Sequence, residues 1–219
     1  MNVFDIIGPI MIGPSSSHTA GAVRLGRVAW KMLEEPPARI DITLSGSFAE
    51  TGRGHGTDKA LVAGCMGMHS YDPGIRCALE TAAERGIACT FRNENIPGSH
   101  PNTARIHLVG ADGKETTVEG ASVGGGNIVV DNVNGMDVEF TGQNNMILVR
   151  HMDKPGAIAA VTNFMAYAEV NICNFRLSRK KKGGEALMMV EVDGEIPENL
   201  PEQIKLLPHI LSVIVIHAI

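Results

Sequence analysis

Residues 143–216 read "QNNMILVRHMDKPGAIAAVTNFMAYAEVNICNFRLSRKKKGGEALMMVEVDGEIPENLPEQIKLLPHILSVIVI". Apolar runs predict strands at 147–150, on both sides of Gly183-Gly184 and at 210–216. Helical spacing predicts one helix after Pro155 and a shorter one at 199–207. This βαββαβ order is typical of the split βαβ layout, with an antiparallel sheet and helices on one face. We therefore predict an α+β protein of two domains, at 1–143 and 146–219.

The composition is that of an ordinary globular protein. The chain has 219 residues, 44% of them hydrophobic and 20% charged, with a net charge of −5. This balance argues against a broad nucleic-acid-binding surface, and no window predicts a membrane span. The N-terminus carries Asp5 and two Gly-Pro breaks but no basic segment, which argues against a signal peptide. The basic run Arg179–Lys182 is expected at a hairpin tip, with phosphate binding as the alternative.

The four cysteines, Cys65, Cys77, Cys89 and Cys173, form no CxxC pair. This chain alone therefore shows no zinc or iron–sulfur ligand pattern, and we predict no metal site. Without a secretory signal, the cysteines are expected to be buried thiols in a reducing cytoplasm.

The N-terminal region shows clear helix and strand signals. Helical spacing predicts a helix at 19–33, which Pro36-Pro37 ends. A strand is expected at 39–46, and a second helix from Thr57 or Asp58 as N-cap. A third helix is expected between a cap at Asp72 and Gly86. The stretch 88–140 is strand-rich, with hairpin turns at 112–113 and 134–135.

The stretch "GPSSSHTAG", residues 13–21, precedes the first predicted helix. The free N–H groups of a helix N-terminus, together with hydroxyls, suit a carboxylate or phosphate. The candidate hydroxyl donors are Ser15, Ser16, Ser17 and Thr19. His18 could titrate near neutrality among them. The alternative is a plain N-cap, which needs only one of these residues.

A second histidine lies in "GSFAETGRGHGTD", residues 46–58. Alternating glycines at 52, 54 and 56 predict a loop whose backbone can approach a ligand closely. His55 lies just before a predicted helix, as His18 does, and Thr57 follows. A loop histidine without a catalytic role is the alternative.

Two further stretches are less specific. "PGSHPNTARIHL" predicts a turn entering a strand, and His100, Asn102 and Thr103 are either site residues or turn residues. Gly124–Gly126 could form a hinge, a bulge or a close approach to another chain.

In the second domain, "HMDKPGAIAAV" predicts a tight turn from strand to helix. Backbone N–H groups near Asp153, Gly156 and Ala157 could hold a small amino acid, with Asn171 supplying an amide contact. Alternatively, Asp153 caps the helix and Asn171 is a turn residue.

Four motifs together resemble the beta chains of two-chain, iron–sulfur-dependent bacterial L-serine dehydratases. They are "FDIIGPIMIGPSSSHTAGAVRLGRVA", "GSFAETGRGHGTDKALVAG", "HPNTARI" and "GGGNI". The resemblance implies an allosteric substrate-binding-like first domain and an ACT domain, which has the βαββαβ layout, as the second. It also implies conversion of L-serine to pyruvate and ammonia by a hetero-oligomer. A [4Fe–4S] cluster would be ligated by the alpha chain and not by this chain.

The resemblance also implies roles for particular residues. By motif, His18 and His55 correspond to histidines implicated in catalysis, with His55 favoured as base and His18 as its partner or as an acid. The hydroxyl residues at 15–17 and 19, with Thr57, would hold the substrate carboxylate. His100, Asn102 and Thr103 would lie near the same site, and the ACT domain would mediate self-association. The chain ends "VIVIHAI", so it lacks the terminal cysteine found in some fused relatives.

Two other functions compete with a catalytic half-enzyme. One is a regulatory chain that senses serine, another small anion or an amino acid, with all catalysis in the partner. The other is a hydrolase using a serine of the triplet, which no GxSxG motif supports.

Overall fold

A computed structural model describes residues 12, 13 and 15–218, apart from the side chain of Arg53. The N-terminal segment that was predicted not to be a signal peptide lies outside the described residues. So does the part of the first motif up to Met11. Within the described part of the chain, no helix combines the length and apolarity needed to cross a membrane.

The chain divides into two compact units. One comprises Met1–Asn134 with Glu139–Thr141, and the other Gly135–Val138 with Gly142–Ile219. The predicted domain ranges, 1–143 and 146–219, stay a prediction.

The first unit begins with a π-helical turn, Ser16–Gly21, and contains a 3₁₀ helix, Pro73–Cys77. Its α-helices are α1 (Ala22–Leu33), α2 (Ser47–His55), α3 (Thr57–Cys65) and α4 (Ala78–Glu84). The strands before Gly142 are β1 (Pro37–Leu44), β2 (Ala88–Asn93), β3 (Thr103–Gly110), β4 (Glu115–Gly124), β5 (Asn127–Val133) and β6 (Met136–Phe140), and the first three residues of β6 are grouped with the second unit. The predicted strand-rich stretch 88–140 is thus confirmed, as is the Asp72 cap of the third helical segment.

The six strands form one sheet in the order β2-β1-β3-β4-β5-β6. β1 pairs in parallel with β2 and antiparallel with β3, and β3–β4 and β4–β5 are antiparallel. Alternate residues of β1 and β3, such as Ile40, Ile42 and Ile106, are buried. The intervening positions, such as Asp41 and Thr43, stay partly exposed, so one face of this end of the sheet is apolar and the other polar.

Two glycines let α1 and α3 cross at backbone contact. A Cβ atom at Gly26 would lie 2.3 Å from the carbonyl oxygen of Leu61, and one at Gly64 would lie 2.1 Å from that of Val23. Any larger residue would force the two helices apart. This crossing fixes the start of α3 relative to the π-helical turn that precedes α1.

The glycine-rich stretch 46–58 departs from the prediction. Residues 47–55 form helix α2 and not a loop, and only Gly46 and Gly56 have positive φ in this stretch. Phe48 is fully buried, and a Cβ at Gly52 would meet Leu44 and Thr57 at 3.6 and 3.4 Å. Tertiary packing therefore outweighs the low helix propensity of glycine here.

The predicted cap of α3 is also wrong. The N-cap is Gly56, with φ of 72°, and Asp58 lies inside the first turn, where its Oδ1 accepts the Lys59 N–H at 2.9 Å. Thr57 is the first helical residue. The left-handed turn needed to leave α2 and enter α3 within one residue favours glycine at this position.

The second unit has the predicted βαββαβ order. Its elements are β7 (Asn145–Met152), α5 (Ala157–Tyr167), β8 (Ile172–Arg179), β9 (Glu185–Val192), α6 (Leu200–Lys205) and β10 (Ile210–Ile216). The sheet is antiparallel in the order β10-β7-β9-β8. Side chains of α5 and α6, including Val161 and Ile204, pack on strand residues such as Val149 and Val190.

Candidate active site

The rings of His18 and His55 lie side by side, with centroids 4.9 Å apart and an interplanar angle of 42°. His18 belongs to the π-helical turn, whereas His55 is the last residue of α2. The two glycine-flanked histidines of the sequence therefore meet in one cluster. We call His18, Thr51 and His55 the histidine cluster.

Ser15 caps the π-helical turn and orients His18. Its backbone is extended, its Oγ accepts the His18 N–H at 3.3 Å, and its carbonyl accepts the Thr19 N–H at 2.8 Å. The same Oγ lies 3.4 Å from His18 Nδ1. The wider π-type turn is uncommon and often occurs at functional sites.

Hydrogen bonds place the ring proton of His18 on Nε2. His18 Nε2 lies 3.1 Å from Thr51 Oγ1, and that hydroxyl donates its hydrogen to the Ser47 carbonyl at 2.8 Å. Because its only hydrogen is used, Thr51 Oγ1 must accept from His18. The lone pair of neutral His18 is then on Nδ1, facing Ser15.

His55 takes the opposite tautomer. Its Nδ1 lies 3.1 Å from the Thr51 carbonyl oxygen, and a carbonyl can only accept, so Nδ1 carries the hydrogen. The lone pair of neutral His55 is therefore on Nε2. His55 is exposed, and this nitrogen has no hydrogen-bond partner among the described residues. His55 Nε2 is free to take a proton from a bound molecule.

Burial lowers the pKa of His18 below its usual value, and the neighbouring His55 lowers it further, although the Ser47 backbone acts in the opposite direction. Phe48 contributes to this burial by an edge-on contact, with ring centroids 5.2 Å apart. His18 is thus held in its neutral form near pH 7, so the two rings do not carry charge together.

Three buried hydroxyls in this unit lack partners among the described residues: Thr19, Thr57 and Ser122, which are 2%, 0% and 0% exposed. A buried polar atom without a partner costs free energy, about 1–3 kcal/mol in mutational data. Thr57 stands at the start of α3, where Gly56 provides no side-chain cap. The helix N-terminus and this hydroxyl together can receive an anion.

Ser16 and Ser17 lie half-buried in the π-helical turn. Their hydroxyls make no hydrogen bond within the described part of the chain. Of the serine triplet, only Ser15 is committed to capping, and the other two remain available.

Ser122 was missed from the sequence. A Cβ at Gly21 would lie 2.0 Å from its Oγ, so β4 presses directly on the end of the π-helical turn. The sequence signal is a small residue two positions before the glycine triplet.

The turn containing His100, Asn102 and Thr103 is held by its own hydrogen bonds. His100 Nδ1 accepts the Asn102 N–H at 3.1 Å, and Thr103 Oγ1 donates to the His100 carbonyl at 2.7 Å. The Asn102 amide donates to the Ser122 carbonyl at 3.3 Å. These contacts favour the turn alternative, and none of them reaches the histidine cluster.

Gly124–Gly126 forms the turn between β4 and β5, with φ values of 102°, 61° and 82°. The Arg24 guanidinium donates to the Gly126 carbonyl at 2.5 Å. The triplet is therefore a hairpin turn tied to α1.

Comparisons with known proteins point to one family. The family model described as "Serine dehydratase beta chain" matches residues 2–85, which include the histidine cluster. A "Probable L-serine dehydratase, beta chain" of Bacillus subtilis (strain 168) is 44% identical over 97% of this chain and 96% of its own length. An "L-serine dehydratase, beta chain" of Peptoniphilus asaccharolyticus is 36% identical over 93% and 92%. The chain belongs to the L-serine dehydratase beta-chain family.

Two weaker matches extend beyond this family. A D-3-phosphoglycerate dehydrogenase of Methanocaldococcus jannaschii is 27% identical over 94% of this chain but only 39% of its own length. The solved ACT domain from a GTP pyrophosphokinase of Chlorobium tepidum covers 32% of this chain and 94% of its own length, at a TM-score of 0.29 and 16% identity.

In the second unit, the residues predicted to bind an amino acid do not lie together. Asp153 Oδ2 accepts from Gly183 N at 2.9 Å and from the Arg179 guanidinium at 2.5 Å. The Gly183 N–H, with Arg179, lowers the pKa of Asp153. Asp153 therefore holds the tip of the β8–β9 hairpin, where the basic run lies as predicted, and does not cap α5.

Asn171 lies at the other end of that hairpin, where its amide donates to Asp193 Oδ2 at 2.6 Å. Gly156, with φ of 89°, is the N-cap of α5, and Ala157 is its first residue. Within one copy of the chain, Asn171 is therefore separated from Gly156 by the length of β8.

No group of three or more metal-ligating side chains occurs among the described residues. The prediction that all four cysteines are buried is confirmed only for Cys65. Cys89 is half-buried, and Cys77 and Cys173 are exposed, at the end of the 3₁₀ helix and on the edge strand β8. Cys65 is buried, and this burial raises the pKa of its thiol. The described residues of this chain do not fit an iron–sulfur cluster.

Proposed function

We propose that this chain is the beta half of an L-serine dehydratase and supplies the proton-transfer residues of its active site. The observation that carries the proposal is the free lone pair on His55 Nε2, beside a His18 held neutral. Family membership supports the substrate, L-serine, and the products, pyruvate and ammonia. The beta-chain names of the relatives support an alpha-chain partner.

Dehydration of serine requires removal of the Cα proton and loss of the hydroxyl group. The described residues of this chain do not fit a [4Fe–4S] cluster, so the cluster implied by the family resemblance is proposed to be on the alpha chain. There its iron would supply a Lewis acid for the serine hydroxyl. This chain contributes the base and the groups that orient the substrate.

His55 Nε2 is the proposed base for the Cα proton. When it is protonated, the ring becomes a cation whose Nδ1–H already donates to the Thr51 carbonyl at 3.1 Å. That hydrogen bond strengthens as charge develops, which favours proton transfer. Histidine is the side chain that most often performs such proton transfers in enzymes.

His18 is the proposed partner of the base. Its lowered pKa keeps it uncharged when His55 gains a proton, so no like-charge pair forms. Its Nε2–H also fixes Thr51 at 3.1 Å, and Thr51 in turn orients His55. His18 therefore positions the base.

The substrate carboxylate is proposed to bind at the start of α3. The N-cap residue of this helix, Gly56, offers no side-chain cap, and the Thr57 hydroxyl is buried without a partner in the described part of the chain. Asp58 Oδ1 already accepts the Lys59 N–H at 2.9 Å, so that N–H is not available to the substrate. Ser16, Ser17 and Thr19 would add donors from the π-helical turn. A negative ion at this position is favoured by the helix dipole.

The test is serine turnover by complexes reconstituted anaerobically from this chain and its alpha chain. His55→Ala should lower kcat by about 10²–10⁴-fold, the usual contribution of a general base, with the cluster spectrum unchanged. The matched control is His217→Ala, because His217 is exposed and distant in sequence from the cluster. Turnover of His55→Ala within a few-fold of the control would refute the assignment.

One observation favours a second candidate, a regulatory chain. A stretch similar to nearly this whole chain occurs in a D-3-phosphoglycerate dehydrogenase, an enzyme of another name and reaction. In that function the first unit would sense an anion, and the second would bind an amino acid near Gly156 and self-associate. His55→Ala would then change the serine concentration needed for half-maximal rate but leave kcat largely intact.

A further inference from the structure

The polar face of the six-stranded sheet contains a cavity of about 200 Å³. Its polar lining comes from alternate positions of three neighbouring strands: Asp41, Thr43, Thr90, Arg92, Arg105 and His107. About seven water molecules would occupy this volume, which suits a small organic acid or a phosphate. The cavity lies within the first unit, and the histidine cluster contributes none of its lining.

Two arginines flank one threonine in this cavity. Thr43 of β1 is paired with Arg92 of β2 on one side and with Arg105 of β3 on the other. Neighbouring strands are about 4.8 Å apart, so two long side chains from these positions can converge above Thr43. A guanidinium presents a planar fork of donors that matches a carboxylate or phosphate.

Arg92 has no intramolecular role among the described residues. Its side chain is exposed and makes no hydrogen bond or ion pair with any part of the chain that the structure describes. Arg105 uses Nε to donate to Glu119 at 2.7 Å, which leaves its two terminal nitrogens free to donate.

The acidic group in the lining is already neutralised. Asp41 Oδ1 accepts from the Thr90 hydroxyl at 2.7 Å, and its Oδ2 pairs with Arg39 Nε at 3.0 Å. His107 Nδ1 lies 3.0 Å from the Thr117 hydroxyl. With Asp41 paired to Arg39 and Arg105 to Glu119, the charge of Arg92 remains uncompensated.

We propose that this cavity binds a small oxyanion with two charges, either phosphate or a short dicarboxylate. Arg92 and Arg105 are the guanidinium donors, and the Thr43 hydroxyl lies between them. The site is separate from the proposed carboxylate site at the start of α3. It does not depend on the role proposed for His55.

The test is calorimetric titration of the full chain with inorganic phosphate and, separately, with succinate, at constant ionic strength set by chloride. At least one probe should bind saturably, and Arg92→Gln should weaken that binding roughly tenfold or more, as expected for loss of a charge-assisted contact. Arg92→Lys keeps the charge but not the fork and should recover only part of the affinity. Comparison of the two dissociation constants shows whether the site prefers phosphate or a dicarboxylate.

The matched control is Arg85→Gln, which removes the same charge from an exposed residue of the same unit outside the cavity. It should leave binding unchanged. A second variant, Arg105→Gln with Glu119→Gln, removes the other donor without leaving Glu119 unpaired. Equal weakening by Arg92→Gln and Arg85→Gln, or no saturable binding of either probe, would overturn the proposal. Arg92 would then serve only to keep the edge strand β2 from pairing.

Discussion

The crossing of α1 and α3 makes a quantitative prediction for Gly64→Ala. The new methyl group would lie 2.1 Å from the Val23 carbonyl oxygen, whereas carbon and oxygen normally approach to about 3.3 Å. The helices must therefore separate by about 1.2 Å at this point. Overpacking of this kind typically lowers the free energy of unfolding by about 1–3 kcal/mol. We expect the upper end of that range, because two backbones are in contact here.

Helix propensity works in the opposite direction. Alanine is more favourable than glycine inside a helix by about 1 kcal/mol. The expected net result for Gly64→Ala is a loss of about 2 kcal/mol in the free energy of unfolding, measured by urea denaturation with an unchanged m-value.

Gly54→Ala is the matched control for this measurement. Gly54 lies in α2, its φ is not positive, and a Cβ there would meet nothing within 4 Å. The same substitution should therefore raise the unfolding free energy, by up to about 1 kcal/mol. If the free energy of unfolding of Gly64→Ala equalled that of Gly54→Ala, the inference that α1 and α3 touch through their backbones would be refuted.

Two further predictions concern pH. Because burial lowers the pKa of His18 in the folded state, its contribution to stability is present above the unfolded pKa, about 6.5, and is lost as the pH falls below it. His18→Gln should therefore flatten the decline of the melting temperature between about pH 7.5 and 5; an unchanged slope would contradict the pKa shift. The pKa of Asp153 is lowered in the folded state, so its carboxylate stabilises the fold at pH values above the unfolded pKa, about 3.9. Asp153→Asn should therefore lower the melting temperature at pH 7, and the melting temperatures of the variant and the native chain should converge near pH 2–3. A constant difference across that range would argue against its bonds to Gly183 and Arg179.

The second unit was predictable because its signals are local. Short apolar runs, a Gly-Gly hairpin tip and a proline before a helix each act within a few residues, and the βαββαβ order followed from them. The Asp72 cap and the Asn134-Gly135 turn were found for the same reason. At the latter, φ values of 53° and 75° match the left-handed turn that this dipeptide favours.

Helix α2 was not predictable in this way. Its glycines at 52 and 54 have low helix propensity, and what stabilises the helix is the burial of Phe48 and the contact of Gly52 with Leu44 and Thr57. These contacts come from other segments of the chain. The same limit applies to Ser122, whose place beside Gly21 depends on the pairing of β4 within the sheet.

The histidines show how far sequence reasoning reached at the site. Glycine-flanked histidines before helix starts singled out His18 and His55, but nothing local indicated that their rings would lie 4.9 Å apart. The contact requires α2 to exist, and the sequence pattern had favoured a loop there. In the second unit, Asp153 and Asn171 were grouped by residue type, whereas the β8–β9 hairpin separates them.

Thr51 explains why two neighbouring histidines differ in their chemistry. Its hydroxyl is forced to accept from His18 because it donates to Ser47, and its carbonyl is forced to accept from His55 because a carbonyl has no hydrogen to give. One residue thus places the proton of His18 on Nε2 and that of His55 on Nδ1. Both ring nitrogens of the half-buried His18 face hydrogen-bonding partners, whereas the exposed ring of His55 keeps a free lone pair on Nε2. The assignment of His55 as the base follows from this difference between the two rings. It depends on Thr51 being helical, because the α2 backbone brings the Thr51 carbonyl to the ring of the residue four positions later.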